Sequence, residues 1–407
     1  MTLHRQILLA LLAGLALALW AACWPEADRQ LLLEVCRVLG TLFLNALKAL
    51  ALPLVVVTLI AGLGGLEQRL GRLGGLAIAF YGLSTLLAVT AGLGVANLMS
   101  PGLHAIVPTG GWLAQAAQQS LPDVQAPGWA DSLIALVPAN LLQAGVSGNL
   151  LGLVLFALLA GLALRELPDD LRETQQRFWQ GLQGLLLTAV GWVLHAAPLG
   201  VLALVCRSAS QSGWAALEPL LWFMATVLAG LLLHALGSLG LLLALLGRVS
   251  PRDHASAMSP ALWMAFSTAS STATLPLTLR CLNERAKVPA GVTSLTVPLG
   301  ATLNMDGTAL YECVAVLFLA QLLGLDLSLS DQLGVMLLAL ATSIGMAGIP
   351  AASLVAIALI LERVGLPAEA LGLLLVTDRP LDMCRTTVNV WSDSVAARLV
   401  ARAAERG

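Results

Sequence analysis

The chain has 407 residues, of which 58% are hydrophobic and only 11% charged, and its formal net charge is −2. Soluble globular chains carry roughly 25% charged residues. Composition therefore excludes a soluble enzyme or a disordered chain, and the near-balanced charge excludes a nucleic-acid binder, which needs a basic patch.

The apolar stretches are continuous and do not alternate over the ~10-residue segments of a membrane barrel. They predict an all-α polytopic membrane protein. The first run, residues 6–24, follows His4 and Arg5. It meets the ~20 residues a spanning helix needs, and no small-residue cleavage site precedes a soluble domain. It reads as a first transmembrane helix, not a signal peptide. Further apolar segments run over 31–64, 74–99, 149–165, 178–205, 217–247, 256–279, 291–323, 333–361 and 367–400. Several are longer than one perpendicular crossing, which implies tilted or broken helices. Gly, Pro and Ser interrupt two of them, at Ala269–Pro276 and Ser343–Ser353. An interrupted apolar pair points to discontinuous helices around a midplane site. No linker divides the chain. Its six cysteines form no CxxC pair and read as small buried apolar residues.

The basic residues set the orientation. Residues 100–148 contain neither Lys nor Arg and are expected outside. The loops at Arg69/Arg72, Arg165/Arg172/Arg177, Arg248/Arg252 and Arg280/Arg285/Lys287, with the tail Arg398/Arg402/Arg406, are expected inside. Both termini are then cytoplasmic, and Arg207 is the one exception.

Ionisable residues inside apolar segments cost ~2.5–3.5 kcal/mol each on insertion scales and mark function by default. The densest set is Asp378, Asp382, Arg385, Asn389 and Asp393, spaced by 4, 3, 4 and 4 residues. That spacing is one face of a helix. Arg385 offers a planar fork for a carboxylate. Asp382, one turn earlier, can hold an ammonium group. Together they suit a zwitterion with an extra carboxylate, such as aspartate or glutamate. Asp378 can balance Arg385 when no substrate is bound, and Asp393 is a hard oxygen ligand for a small cation. A second cluster runs from Pro298 to Glu312. Gly300, Asn304 and Gly307 permit local unwinding there, and freed carbonyls with Asn304 and Asp306 make an all-oxygen cation site. Glu312, deep in an apolar run, is a candidate proton carrier.

These residues resemble the glutamate/aspartate transporter family, the dicarboxylate/amino acid:cation symporters. Three motifs carry the likeness: Ser270-Ser271-Thr272-Ala273-Thr274-Leu275-Pro276, Asn304-Met305-Asp306-Gly307-Thr308, and Asp382-x-x-Arg385-Thr386-x-x-Asn389. Fainter matches lie at Tyr81-x-x-Ser84-Thr85 and Ser343–Pro350. The resemblance covers essentially the whole chain. It implies eight transmembrane helices plus two re-entrant hairpins, inverted repeats and a homotrimer in the lipid bilayer. It also implies a scaffold at about 1–73 and 100–215, with a transport core at about 74–99 and 216–403 that moves like an elevator. The substrate residues it implies are Arg385 with Thr308 for the side-chain carboxylate and Asp382 with Thr386 for the amine. Asn389 and the hairpin tips at Ser271 and Gly348 would take the main-chain carboxylate.

The implied cations, Na+ with H+ as a further coupling ion, occupy three sets; no other cofactor is implied. The first is Asp393 with carbonyls of Gly300, Asn304 and Asn389. The second is carbonyls of Thr302, Ser343, Ile344 and Met346. The third is Asn304 and Asp306 with Tyr81, Ser84 and Thr85. Ion and substrate favour one closed state of the second hairpin, so their coupling is reciprocal. Glu312 matches the family's proton-carrying glutamate.

The sequence departs from the pattern where acidic-amino-acid members keep a second arginine: those positions are Ala269 and Met383. Potassium counter-transport is therefore not implied, and Arg379 is the nearest substitute. Met346 replaces a small polar residue. Asp382 argues against a C4-dicarboxylate carrier, and Arg385 against a neutral amino acid carrier. The expectation is an acidic amino acid symporter, not an enzyme, in a prokaryotic inner membrane. The rival from another class is an intramembrane serine protease using Ser147 in Gly145-Val146-Ser147-Gly148 with His195. A bare GxSG is an unspecific signal, and Ser147 reads better as a helix cap. A channel would need a ring of filter residues, which is not visible.

Overall fold

A computed structural model describes residues 3–64, 71–103, 137–146, 150–212, 217–343, 352–366 and 370–404. Among them the regular elements are all helical. In chain order they are α1 (Leu3–Ala21), α2 (Glu26–Gly64), α3 (Gly71–Met99), α4 (Leu141–Val146), α5 (Leu150–Arg165), α6 (Asp169–His195), α7 (Ala197–Ser212) and α8 (Leu217–Leu232). There follow α9 (Leu239–Leu245), α10 (Pro251–Thr268), α11 (Ser271–Arg280), α12 (Ala290–Leu303), α13 (Asp306–Leu322), α14 (Leu329–Ser343), α15 (Ala352–Val364) and α16 (Leu371–Ala404). A π turn, Leu233–Ser238, joins α8 to α9, and another, Cys281–Arg285, follows α11.

Three described stretches have the length and apolarity to cross a membrane: Leu73–Met99, Glu218–Leu245 and Ala290–Leu322. A fourth, Asp169–Val193 with Ala197–Arg207, bends by 50° at its break. Helix α16 is 34 residues long, but Asp378, Arg379, Asp382 and Arg385 interrupt its apolar character.

Two packing groups are evident. Helix α1 lies along α7, and α2 lies along α5, α6 and α7. Helices α3, α8 and α10 to α13 pack mainly on one another and on α16. Contacts of α7 with α16 and of α15 with α2 connect the groups. Helix α13 is buried almost all round, as befits a central helix. Phe223 stacks on Phe318 at 4.8 Å and meets Tyr311 at 5.9 Å. Lipid tails are as apolar as these side chains, so close packing and interhelical hydrogen bonds hold such a core together.

Two chain breaks shape the site. Between α10 and α11 only Ala269 and Ser270 are non-helical. Ala269 is left-handed (φ 48°), and the Ser270 hydroxyl caps α11 by accepting from Ala273 N at 3.2 Å. The two helices thus form a tight hairpin at one of the predicted interruptions. Between α12 and α13 the chain unwinds at Asn304 and Met305. The sequence reading placed unwinding at Gly300, Asn304 and Gly307. The structure corrects this, because both glycines are helical.

Candidate functional site

The glycines serve close approach. A Cβ on Gly307 would sit 2.7 Å from the Arg385 carbonyl oxygen and 3.1 Å from its Cα. Only hydrogen at that position lets α13 and α16 touch backbone to backbone. Gly307 N then donates to Asn389 Oδ1 at 2.8 Å, which satisfies one of the orphan N–H groups at the start of α13. Asn389 Nδ2 donates to Thr308 Oγ1 at 3.2 Å. At Gly300 a Cβ would collide with Asp393 Oδ1 and meet the Tyr81 hydroxyl at 3.2 Å.

One helical turn along α16 lies a buried charge network. Arg385, 1% exposed, donates through Nη2 to Asp378 Oδ1 and Asp382 Oδ1, both at 3.0 Å, and through Nη1 to Ser353 Oγ at 2.6 Å. Its guanidinium carbon lies 3.9 Å over the Tyr311 ring, a cation–π contact strengthened by desolvation. Tyr311 O–H donates to Asp378 Oδ1 at 3.3 Å. Arg379 Nη1 donates to the other oxygen of Asp382 at 3.2 Å. Two guanidinium groups thus face two carboxylates, as burial of charge requires. Arg385 Nε has no hydrogen-bond partner among the described residues. Thr386 is buried beside this network, and Thr308 is half-buried.

Below the break lies a cluster of oxygens. Asp306 Oδ1 faces the hydroxyls of Thr85 at 2.7 Å and Ser84 at 3.3 Å. The Ser84 hydroxyl also faces Asn304 Oδ1 at 3.2 Å and the Tyr81 carbonyl at 3.2 Å, and the latter receives Thr85 at 2.8 Å. Each hydroxyl has one proton, so two protons serve three acceptors that are contacted five times. The Tyr81 O–H is spent on the Thr296 carbonyl at 2.7 Å. Asn304 Nδ2 donates to Asp393 Oδ1 at 2.9 Å and to Ser392 Oγ at 3.0 Å. Asp306 and Asp393 are fully or nearly fully buried, and no lysine or arginine bonds either among the described residues. A surplus of hard oxygen acceptors around two unmatched carboxylates fits a small cation.

The remaining predicted residues divide. Ser271, at the start of α11, is buried, and its hydroxyl has no partner among the described residues. Glu312 is wholly buried; Thr342 Oγ1 donates to its Oε2 at 2.6 Å, and Oε1 has no partner among the described residues. Of the second cation set, whose ligands would be backbone carbonyls, Thr302 lies in the last turn of α12 and Ser343 ends α14. The Thr302 and Ser343 hydroxyls bond back to Leu299 and Leu340 of their own helices. Ile344, Met346 and Gly348 lie outside the described residues, as do Ser147 and Arg69. His195 of the protease alternative is exposed, and its Nδ1 lies 2.6 Å from the Gly191 carbonyl one turn back.

Sequence reasoning missed four contributors. Ser353 and Tyr311 hold Arg385. Ser392 donates to Asp306 Oδ2 at 2.6 Å, and His234 Nε2 lies 3.1 Å from the same oxygen. Ser353 and Tyr311 stand inside stretches the sequence singled out, and Ser392 precedes Asp393. A lone histidine in a leucine-rich run was the only signal for His234.

The model of the sodium:dicarboxylate symporter family matches residues 3–403. The proton/glutamate-aspartate symporter of Escherichia coli is 30% identical over 406 residues, covering 98% of this chain and 92% of that protein. The proton/sodium-glutamate symport protein of Bacillus caldotenax is 31% identical over 370 residues, covering 89% and 86%. The neutral amino acid transporter B(0) of Bos taurus is 34% identical over 425 residues, covering 96% and 78%. A family match across the whole chain, joined to a buried ionic network and an oxygen cluster, makes this chain a transporter and not an enzyme: it belongs to the sodium:dicarboxylate symporter family.

Proposed function

We propose that the protein is a secondary active symporter that moves L-aspartate or L-glutamate across a cell membrane together with Na+, with H+ as a further coupling ion. The observation that carries this reading is Arg385, a guanidinium buried at 1% exposure and held by Asp378 and Asp382. A buried cation whose partners are two carboxylates of its own helix can exchange one of them for a substrate carboxylate without leaving a bare charge. Asp382, released in the exchange, then takes the substrate ammonium. In this reading Thr308 assists Arg385 with the side-chain carboxylate and Thr386 assists Asp382 with the amine, while Asn389, hydrogen-bonded to Thr308, takes the main-chain carboxylate with the hairpin tips at Ser271 and Gly348.

The coupling follows from shared parts. Asn304 touches both Asp393 and the Asp306 cluster, and Asn389 touches the first turn of α13. Cations at Asp306 and Asp393 would fix the same broken helix against which the substrate binds, so each favours the other. Glu312, bonded to Thr342 of α14, is the proton-carrying group of this reading. The wider architecture we propose is eight transmembrane helices with two re-entrant hairpins, the first ending at Ala269–Ser270. A scaffold at 1–73 and 100–215 and an elevator at 74–99 and 216–403 would assemble as a homotrimer in a bacterial inner membrane. The two packing groups support that division.

The test is Arg385→Cys in reconstituted protein with a competition panel of aspartate, succinate, alanine and serine. Uptake of acidic substrates should vanish and neutral amino acids should begin to compete. Retained aspartate affinity would remove Arg385 from the site. Succinate outcompeting aspartate in the unsubstituted protein would favour a C4-dicarboxylate carrier.

A further inference from the structure

The π turn Leu233–Ser238 sits in the middle of an apolar span and puts one polar side chain, His234, wholly inside the protein. Its Nε2 lies 3.1 Å from Asp306 Oδ2, and its Nδ1 has no partner among the described residues. An ionised carboxylate only accepts hydrogen bonds. The nitrogen facing it therefore carries a hydrogen, and His234 donates to Asp306 Oδ2.

The two oxygens of Asp306 are held differently. Oδ2 receives His234 and the Ser392 hydroxyl, whose own oxygen accepts from Asn304 Nδ2, so its proton points at Asp306. Among the described residues Oδ1 receives Ser84 and Thr85 alone, whose hydroxyls can turn and offer lone pairs instead. One oxygen is locked while the other faces the cluster. The π register makes this possible. Leu239 N–H bonds the His234 carbonyl, and the Ala235 carbonyl accepts the Trp391 indole N–H at 3.1 Å. The same turn is thus pinned to α16 next to Ser392.

We propose that His234 is a positioning residue for the coupling cation: by donating to Asp306 Oδ2 it fixes the carboxylate so that Oδ1 faces Ser84, Thr85 and Asn304. This rests on the reading of Asp306 as a cation ligand. π-bulges recur at functional sites, and here the bulge carries the orienting group.

The test measures L-aspartate uptake in proteoliposomes made with the full chain. The half-saturating sodium concentration is taken at saturating aspartate, and the aspartate KM at saturating sodium. Losing a hydrogen bond to a charged group should raise half-saturating sodium by about tenfold or more in His234→Leu. The aspartate KM should stay within about twofold, and His234→Gln, which keeps an N–H donor, should return sodium to within about threefold of the parent. If His234→Leu does not purify folded, His234→Phe keeps the ring volume without the donor. In an Asp306→Asn background the His234 change should add less than about twofold, since residues acting through one another are not additive. An unchanged sodium curve in the donor-less variant, an equal loss in sodium and aspartate, or a fully additive double variant overturns the proposal. No sodium dependence in the parent, or an unchanged curve for Asp306→Asn alone, would instead remove the cation site on which it rests.

Discussion

Replacing Gly307 by alanine tests the contact on which both halves of the site depend. The added Cβ would lie 2.7 Å from the Arg385 carbonyl oxygen, 3.1 Å from its Cα and 3.2 Å from its carbonyl carbon. All three are backbone atoms of α16, so no side chain can swing away. Moving the oxygen from 2.7 Å to the 3.4 Å of ordinary contact needs about 0.7 Å of separation between α13 and α16. Overpacking of this kind costs about 1–3 kcal/mol. The same separation stretches the 2.8 Å bond from Gly307 N to Asn389 Oδ1 beyond hydrogen-bonding range, which costs another ~1 kcal/mol. If about 2–4 kcal/mol falls on the substrate-bound state, aspartate affinity drops by roughly 30- to 1,000-fold. The assay is the aspartate KM in proteoliposomes under saturating sodium, with Gly82→Ala as the control, because a Cβ on Gly82 meets nothing within 4 Å. A Gly307→Ala protein that folds and keeps its KM within about threefold would refute the claim that this crossing positions the substrate groups.

Other predictions concern the charges. Asp306→Asn halves the charge mismatch of the oxygen cluster and should raise half-saturating sodium by at least about tenfold, read by sodium titration of uptake; an unchanged titration rejects that cation site. Glu312→Gln should remove the pH dependence of net uptake while exchange of internal for external aspartate continues, and a retained proton requirement would take the proton away from Glu312. Asp378→Asn leaves Arg385 with one carboxylate where it now has two. It should slow uptake yet keep acidic substrates preferred over neutral ones in competition, and a switch to neutral substrates would mean that Asp378, not Arg385, sets selectivity.

How much of this was legible in the sequence varies by residue. The spacing of Asp378, Asp382, Arg385, Asn389 and Asp393 gave one buried helix, because ionisable groups at helical period within apolar sequence have few other places to go. Unwinding near Asn304 was legible from glycines and a polar residue in an apolar run, but its restriction to Asn304 and Met305 was not, because both glycines stay helical. The role of Gly300 and Gly307 was not. Their sequence context permits flexibility, but what they provide is absence of bulk against α16, and no local pattern states what lies across a helix crossing. His234 was hidden more deeply. Its partner Asp306 is 72 residues away, and the π turn that aims it shows no breaker stronger than Gly237. Ser353 and Tyr311 stood in marked stretches, but their partner Arg385 is fixed by tertiary contact.

The most direct measurement is labelled L-aspartate uptake into proteoliposomes under a sodium gradient alone and under a proton gradient alone. The arrangement of Asp306 and Asp393 among buried oxygens predicts concentrative uptake driven by sodium. Uptake driven by a proton gradient without sodium, with no response to added sodium, would contradict the assignment of those carboxylates as cation ligands and move the coupling to Glu312.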